Sequence, residues 1–222
     1  MRIRGHFLIP TLSYLLCTAA CREPKVVTGR SYFSAFPDGE RRHTVLDSYG
    51  EGDTLSASGV YDFTPIAAGV FPVLLSLNPR RGAGQVHLGD TLDVERGAWL
   101  EVTGVTATRK VSTGVRGAAI ELKVLRVLDW QIRRDISPCI QRAQREYRER
   151  RDRIQQAIDL EGSKLQLPAR PEWSVLVNES EGEVVVGFRA ADLMYAAAVD
   201  LVLDLERCEL ENLYAGQWFK GE

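Results

Sequence analysis

The sequence predicts an α+β fold in two parts, a small β-rich barrel or sandwich over 55–135 followed over 136–222 by a helix packed on an antiparallel β-meander. Three observations predict it. Short runs rich in β-branched residues, parted by Gly- and Pro-containing turns, fill the first part. A long charged stretch with apolar residues at helical spacing opens the second. Apolar runs joined by polar hairpins then close the chain.

In the first part, Val60, Tyr61, Asp62 and Phe63 make one strand-like run and Val70 to Leu77 another, with Pro65 and Gly69 between them. Asn78-Pro79 and Gly82-Ala83-Gly84 mark turns, and Gly89-Asp90 leads into Thr91 to Val94. Ala98 to Thr108 is rich in β-branched residues. In Ile120, Glu121, Leu122, Lys123 and Val124 apolar and charged side chains alternate, which suits a strand with one wet face. An oligonucleotide-binding-type barrel and an immunoglobulin-like sandwich both satisfy this pattern.

The second part begins at Ser137-Pro138, a helix start, and a helix is predicted from there to about Leu160, with Gly162 as its stop. Ile140, Ala143, Tyr147, Ile154 and Ile158 form one apolar stripe. Strands are predicted over Trp173 to Val177, Glu183 to Phe188, Val199 to Leu205 and Glu209 to Tyr214, with a polar hairpin at Glu179-Ser180-Glu181-Gly182.

The amino-terminal residues 1–20 read as an export leader. Arg2 and Arg4 give a positive start, and Phe7 to Leu16 an apolar run broken only by Pro10, Thr11 and Ser13. Thr18-Ala19-Ala20 then makes a small-residue site before Cys21. Ten apolar residues fall short of the roughly 20 that span a bilayer as a helix. This segment resembles the leader of bacterial lipoproteins, with Ala19, Ala20 and Cys21 matching the lipobox and Thr18 standing where the family prefers Leu. The resemblance implies that Cys21 becomes a lipid-bearing amino terminus. Arg22 stands where an aspartate often retains such proteins in the inner membrane, so an outer-membrane address facing the periplasm is implied. The alternative is a soluble periplasmic or secreted product cut after Ala20. The stretch 21–54, with the turn signal Pro37-Asp38-Gly39, is expected to act as a tether, although Tyr32, Phe33, Phe36 and Tyr49 argue that part of it packs on the body.

Of the four cysteines, Cys17 would leave with the leader and Cys21 would take lipid. Cys139 and Cys208 remain as an even pair, expected to form a disulfide in an oxidising compartment, with two buried thiols as the alternative. Such a bridge closes a loop of about 70 residues, for which chain entropy suggests roughly 4 kcal/mol. With no C-x-x-C pair and no Cys/His cluster, neither a thioredoxin-like dithiol nor a zinc site is supported. Without residues 1–20 the 28 basic and 30 acidic side chains become 26 and 30, a net charge of −4. That small acidic excess argues for no nucleic-acid partner.

A further resemblance lies near the carboxy terminus. The order of helix, Trp173-led strand, polar hairpin, and then Val202 to Leu210 followed by Tyr214-Ala215-Gly216-Gln217 is similar to the last hairpin of cystatin-like and NTF2-like small domains. It implies a helix-on-sheet fold of a kind used by immunity proteins and propeptide-like modules. Those domains carry Gly in the tight turn, where this chain has Arg207-Cys208.

Candidate chemistry is sparse. His87, Asp90 and Asp93 would be the centre of an envelope hydrolase if one exists here, but imidazole metal sites need three or more convergent groups, so a surface turn is the plainer reading and no metal is expected. No Gly-x-Ser-x-Gly frame supports a serine nucleophile. Gly82-Ala83-Gly84 lacks the Gly-Lys-Ser/Thr of a phosphate loop. The helix carries Arg142, Arg145, Arg148, Arg150, Arg151 and Arg153 against Glu146, Glu149 and Asp152. Arg142, Arg145, Arg148 and Arg151 are candidates for an anionic surface or an acidic partner, while Glu146 is spaced to pair with Arg142 or Arg150 and leave a self-neutralised face. The expectation is a non-enzymatic envelope lipoprotein without cofactor, binding an envelope or toxin protein.

Overall fold

Eleven strands and one long helix are found among the described residues of the computed structural model, which are 24–28, 32, 43–78, 82–114, 118–190 and 195–219. The leader and Cys21 lie outside them. In chain order the elements are β1 (Lys25–Thr28), β2 (His43–Thr44), β3 (Thr54–Ile66), β4 (Gly69–Asn78), β5 (Gly82–His87), β6 (Trp99–Ser112), β7 (Ala119–Arg134), α1 (Ser137–Leu160), β8 (Glu172–Asn178), β9 (Glu183–Arg189), β10 (Tyr195–Asp204) and β11 (Leu210–Phe219). No helix among them is long and apolar enough to cross a membrane.

The first sheet has six strands in the order β2-β5-β4-β3-β6-β7. Its concave face collects Tyr61, Leu74, Val86, Leu88, Leu100, Val102 and Leu125, roofed by Leu46 from a 3-10 turn at Val45–Ser48. The sheet rolls up without closing into a barrel. Its two ends meet at a parallel bridge between Leu88 and Leu125, reinforced by the Gly89 N–H donating to the Leu125 carbonyl at 2.8 Å, and Lys123 donates to the Tyr49 carbonyl at 2.7 Å beside it. Gly104 lets β6 and β7 approach at a register shift, since a Cβ there would lie 2.5 Å from the Arg126 carbonyl oxygen.

The second sheet has five strands in the order β1-β11-β10-β9-β8, antiparallel except for β1 against β11. One face receives the α1 stripe of Ile140, Ala143, Tyr147, Ile154 and Ile158 over Val175, Val184, Val186, Val199, Leu201 and Leu203. The other face sets Leu176, Val185 and Val202 against Val73 and Leu75 of the first sheet, with Tyr32 between them. Burial on both faces explains why Val184-Val185-Val186 and Leu201-Val202-Leu203 are continuous apolar runs instead of alternating ones. Each such side chain contributes about 1.5–3 kcal/mol. The sandwich therefore forms between the two parts of the chain and not within 55–135.

The described residues of the stretch expected as a tether belong to the body. β1 extends the second sheet, β2 pairs with β5, and Tyr32 and Leu46 are buried. The physical reason is that this stretch carries apolar side chains that two sheet edges and the seam between the sheets can bury.

The helix begins where the Asp135 carboxylate accepts the Ser137 N–H at 2.9 Å, and hydrogen bonding from the Ser137 side chain and then from its N–H holds Asp135 below the usual carboxylate range. Pro138 occupies its first turn, and Gly162 ends it in the left-handed conformation at φ +76°.

Candidate functional site

The densest polar cluster lies in the seam between the two sheets and centres on Tyr32. Its backbone N–H donates to Asp200 Oδ2 at 3.1 Å, and its hydroxyl donates to Glu183 Oε2 at 2.5 Å. Asn178 Nδ2 donates to the same hydroxyl at 2.8 Å, and Ser180 Oγ donates to Asn178 Oδ1 at 2.8 Å. Asp200 also meets Arg189 at 3.4 Å, and Arg189 reaches Ser174 Oγ. The Tyr32 ring stands edge-on to Tyr214 with centroids 5.8 Å apart. Burial, then the bond to Glu183, raises the Tyr32 pKa and keeps the hydroxyl a donor. Asp200 and Asn178 are buried, so this network acts as an internal clasp, and its satisfied partners are what make buried polar groups tolerable there.

Cys139 in the first turn of α1 is joined to Cys208 in the β10–β11 turn by a disulfide, with the Cα atoms 4.6 Å apart. Cys208 has φ +55°, a left-handed conformation in which a Cβ is costly. Here the Cys208 N–H donates to the Asp204 carbonyl, and the Asp204 carboxylate accepts the N–H groups of Glu206 and Arg207, which lowers its pKa.

The four candidate arginines of α1 do not share one free face. Glu146 is buried and binds both Arg142 and Arg150. Arg151 donates to the Leu167 carbonyl at 3.1 Å, holding the segment after the helix. Arg145 and Arg148 are exposed. The positive charge that a ligand surface needs is thus divided between internal pairing and solvent.

His87, Asp90 and Asp93 do not converge. His87 alternates with Val86 and Leu88, which point into the rolled sheet, so its ring lies on the opposite face, 3% exposed and with no hydrogen-bond partner at either nitrogen. Burial lowers its pKa, with Asp47 a smaller opposing influence. Asp90 and Asp93 are exposed, and Asp90 accepts the Val127 N–H at 3.3 Å, a seam contact. Among the described residues no group of three or more His, Cys, Asp or Glu side chains is placed to hold a metal ion.

One surface feature had only a weak sequence signal. β7 is an edge strand on which Leu128 is 60% and Ile132 55% exposed, flanking the half-buried Trp130. A register shift between Thr103 and Gly104 leaves Leu128 outside the ladder, and the Trp130 N–H is taken by the Asp129 carboxylate. These devices blunt strand addition and leave Leu128 and Ile132 exposed to solvent.

No family model matches the chain, and neither the curated proteins nor the solved structures contain a match to it.

Proposed function

We propose that the chain is a cell-envelope lipoprotein, held by lipid on Cys21 at the periplasmic face of an outer membrane, that acts there by binding another protein and not by catalysis. The observation that carries the binding part is the exposure of Leu128 and Ile132 beside Trp130, large apolar side chains on a blunted edge strand. Large apolar side chains left exposed near a sheet edge are what a protein partner can cover. The leader ending at Cys21 supports the address. An immunity-like role, in which the protein bound is a toxin, is one form of this activity.

Two measurements test it. Palmitate labelling of the wild type and of Cys21→Ala should mark only the former; equal labelling overturns the anchor. In-cell cross-linking with wild type and with Leu128→Lys/Ile132→Lys should give a discrete adduct that the double variant loses. An adduct unchanged by the double variant, or no adduct from either chain, overturns the binding surface.

A further inference from the structure

β1 enters the second sheet with Lys25 level with Asn212 and runs parallel to β11, so the chain before it arrives from the side of the β10–β11 turn. The same pole of the molecule holds three other features. The β8–β9 turn is tied there by the Leu205 N–H donating to the Gly182 carbonyl at 2.7 Å. The first turn of α1 is tied there by the Cys139–Cys208 disulfide. The carboxy-terminal end of β7 reaches it through Arg133, which forms a two-pronged bond to Glu179 at 2.8 and 2.9 Å, and through Arg134, which donates to the Glu206 carbonyl.

Four residue steps separate Cys21 from Lys25, a span of at most about 14 Å when fully extended. Resting on the reading of Cys21 as the lipid-bearing residue, we infer that this disulfide-bearing pole faces the bilayer and that the body is held against it by a spacer of three residues. Glu179, Glu181, Glu206, Glu209 and Glu211 are exposed around the pole, with Arg133, Arg134 and Arg207 among them and Arg133 paired to Glu179, which leaves a small acidic excess. Charges of both signs with a small acidic excess offer no net attraction to anionic headgroups, and what repulsion there is fades over about one Debye length, ~8 Å at physiological salt, so the surface that fits is a zwitterionic one and the acyl chains do the holding. Ser112 at the end of β6 and Ala119 at the start of β7 stand at the other end of β7, roughly 50 Å along the strand from Arg134. The β3–β4 turn meets that end, where the Ala68 N–H donates to the Ser112 carbonyl.

The test uses the full, natively processed chain in phosphatidylcholine vesicles, labelled with a fluorophore in Ser180→Cys at the pole or in Ala68→Cys at the far tip, with a headgroup-attached quencher in the lipid. Flotation with the vesicles and at least threefold stronger quenching at 180 than at 68 support the assignment. Flotation with equal or reversed quenching overturns the pole assignment and leaves the anchor standing. A chain that does not float overturns the anchor and the pole together.

Discussion

Tyr32 and Asp200 meet across 168 positions of the chain, the backbone N–H of one donating to the carboxylate of the other inside the seam between two sheets. The contact fastens the amino-terminal segment to the middle of β10, and Asp200 at the same time faces Arg189 at 3.4 Å.

Asp200→Ala should therefore be among the most costly single substitutions in the chain. It leaves the Tyr32 N–H without that acceptor and removes the carboxylate from a buried guanidinium, a change worth about 3–5 kcal/mol. Urea unfolding of the two proteins measures it. A loss under about 1 kcal/mol would show that the clasp contributes little.

Stability should fall in mildly acidic solution because of His87. Its folded pKa lies below the ordinary value of 6.5, so the unfolded chain binds the proton more readily and protonation favours unfolding. The contribution is intact above about pH 7.5 and is lost as pH drops through 6.5 toward the lower folded value, with a slope of at most about 1.4 kcal/mol per pH unit. His87→Leu, similar in volume and apolar, should flatten the profile between pH 7.5 and 5.5. An unchanged slope in that variant would place the acid sensitivity elsewhere.

Reduction of the Cys139–Cys208 bridge, which spans 69 positions, should lower stability by about 2–4 kcal/mol, through a less constrained unfolded chain. Melting curves with and without reductant, repeated on Cys139→Ser/Cys208→Ser, measure the effect. The double variant should melt at the reduced protein's temperature and ignore the reductant. A reductant effect that persists in it would mean that another group is responsible.

Much of the architecture was legible because its signals are local. The α1 stripe, Pro138 at its start and Gly162 at its end are short-range cues, and the helix spans Ser137–Leu160. The apolar runs around Val185 and Val202 marked strands for the same reason, although they did not say that both faces would be covered. Partnerships between distant segments left fainter traces. Asp200 between Val199 and Leu201 is a charge inside an apolar run, a sign of a buried partner, yet nothing near it in sequence identifies Tyr32. The parallel pairing of β1 with β11 joins the two ends of the described chain and has no periodicity long enough to announce it, since β1 is four residues long. His87 carried a proton-transfer signal by residue type alone, and only its place on the convex face of β5 shows that burial governs it. Arg142 and Arg150 were spaced for Glu146 in the sequence, and the fold engages both at once.

The parallel register of β1 also decides how the molecule answers a pull. Tension applied through the amino terminus runs along the axis of β1, so the pairs Lys25 with Asn212 through Thr28 with Ala215 are loaded together in shear and cannot open one after another like a zipper. Behind them the Tyr32 clasp must slip before force reaches β3. A short strand at a sheet edge, weak by its length, thereby becomes a mechanical stop against a pull from the amino terminus.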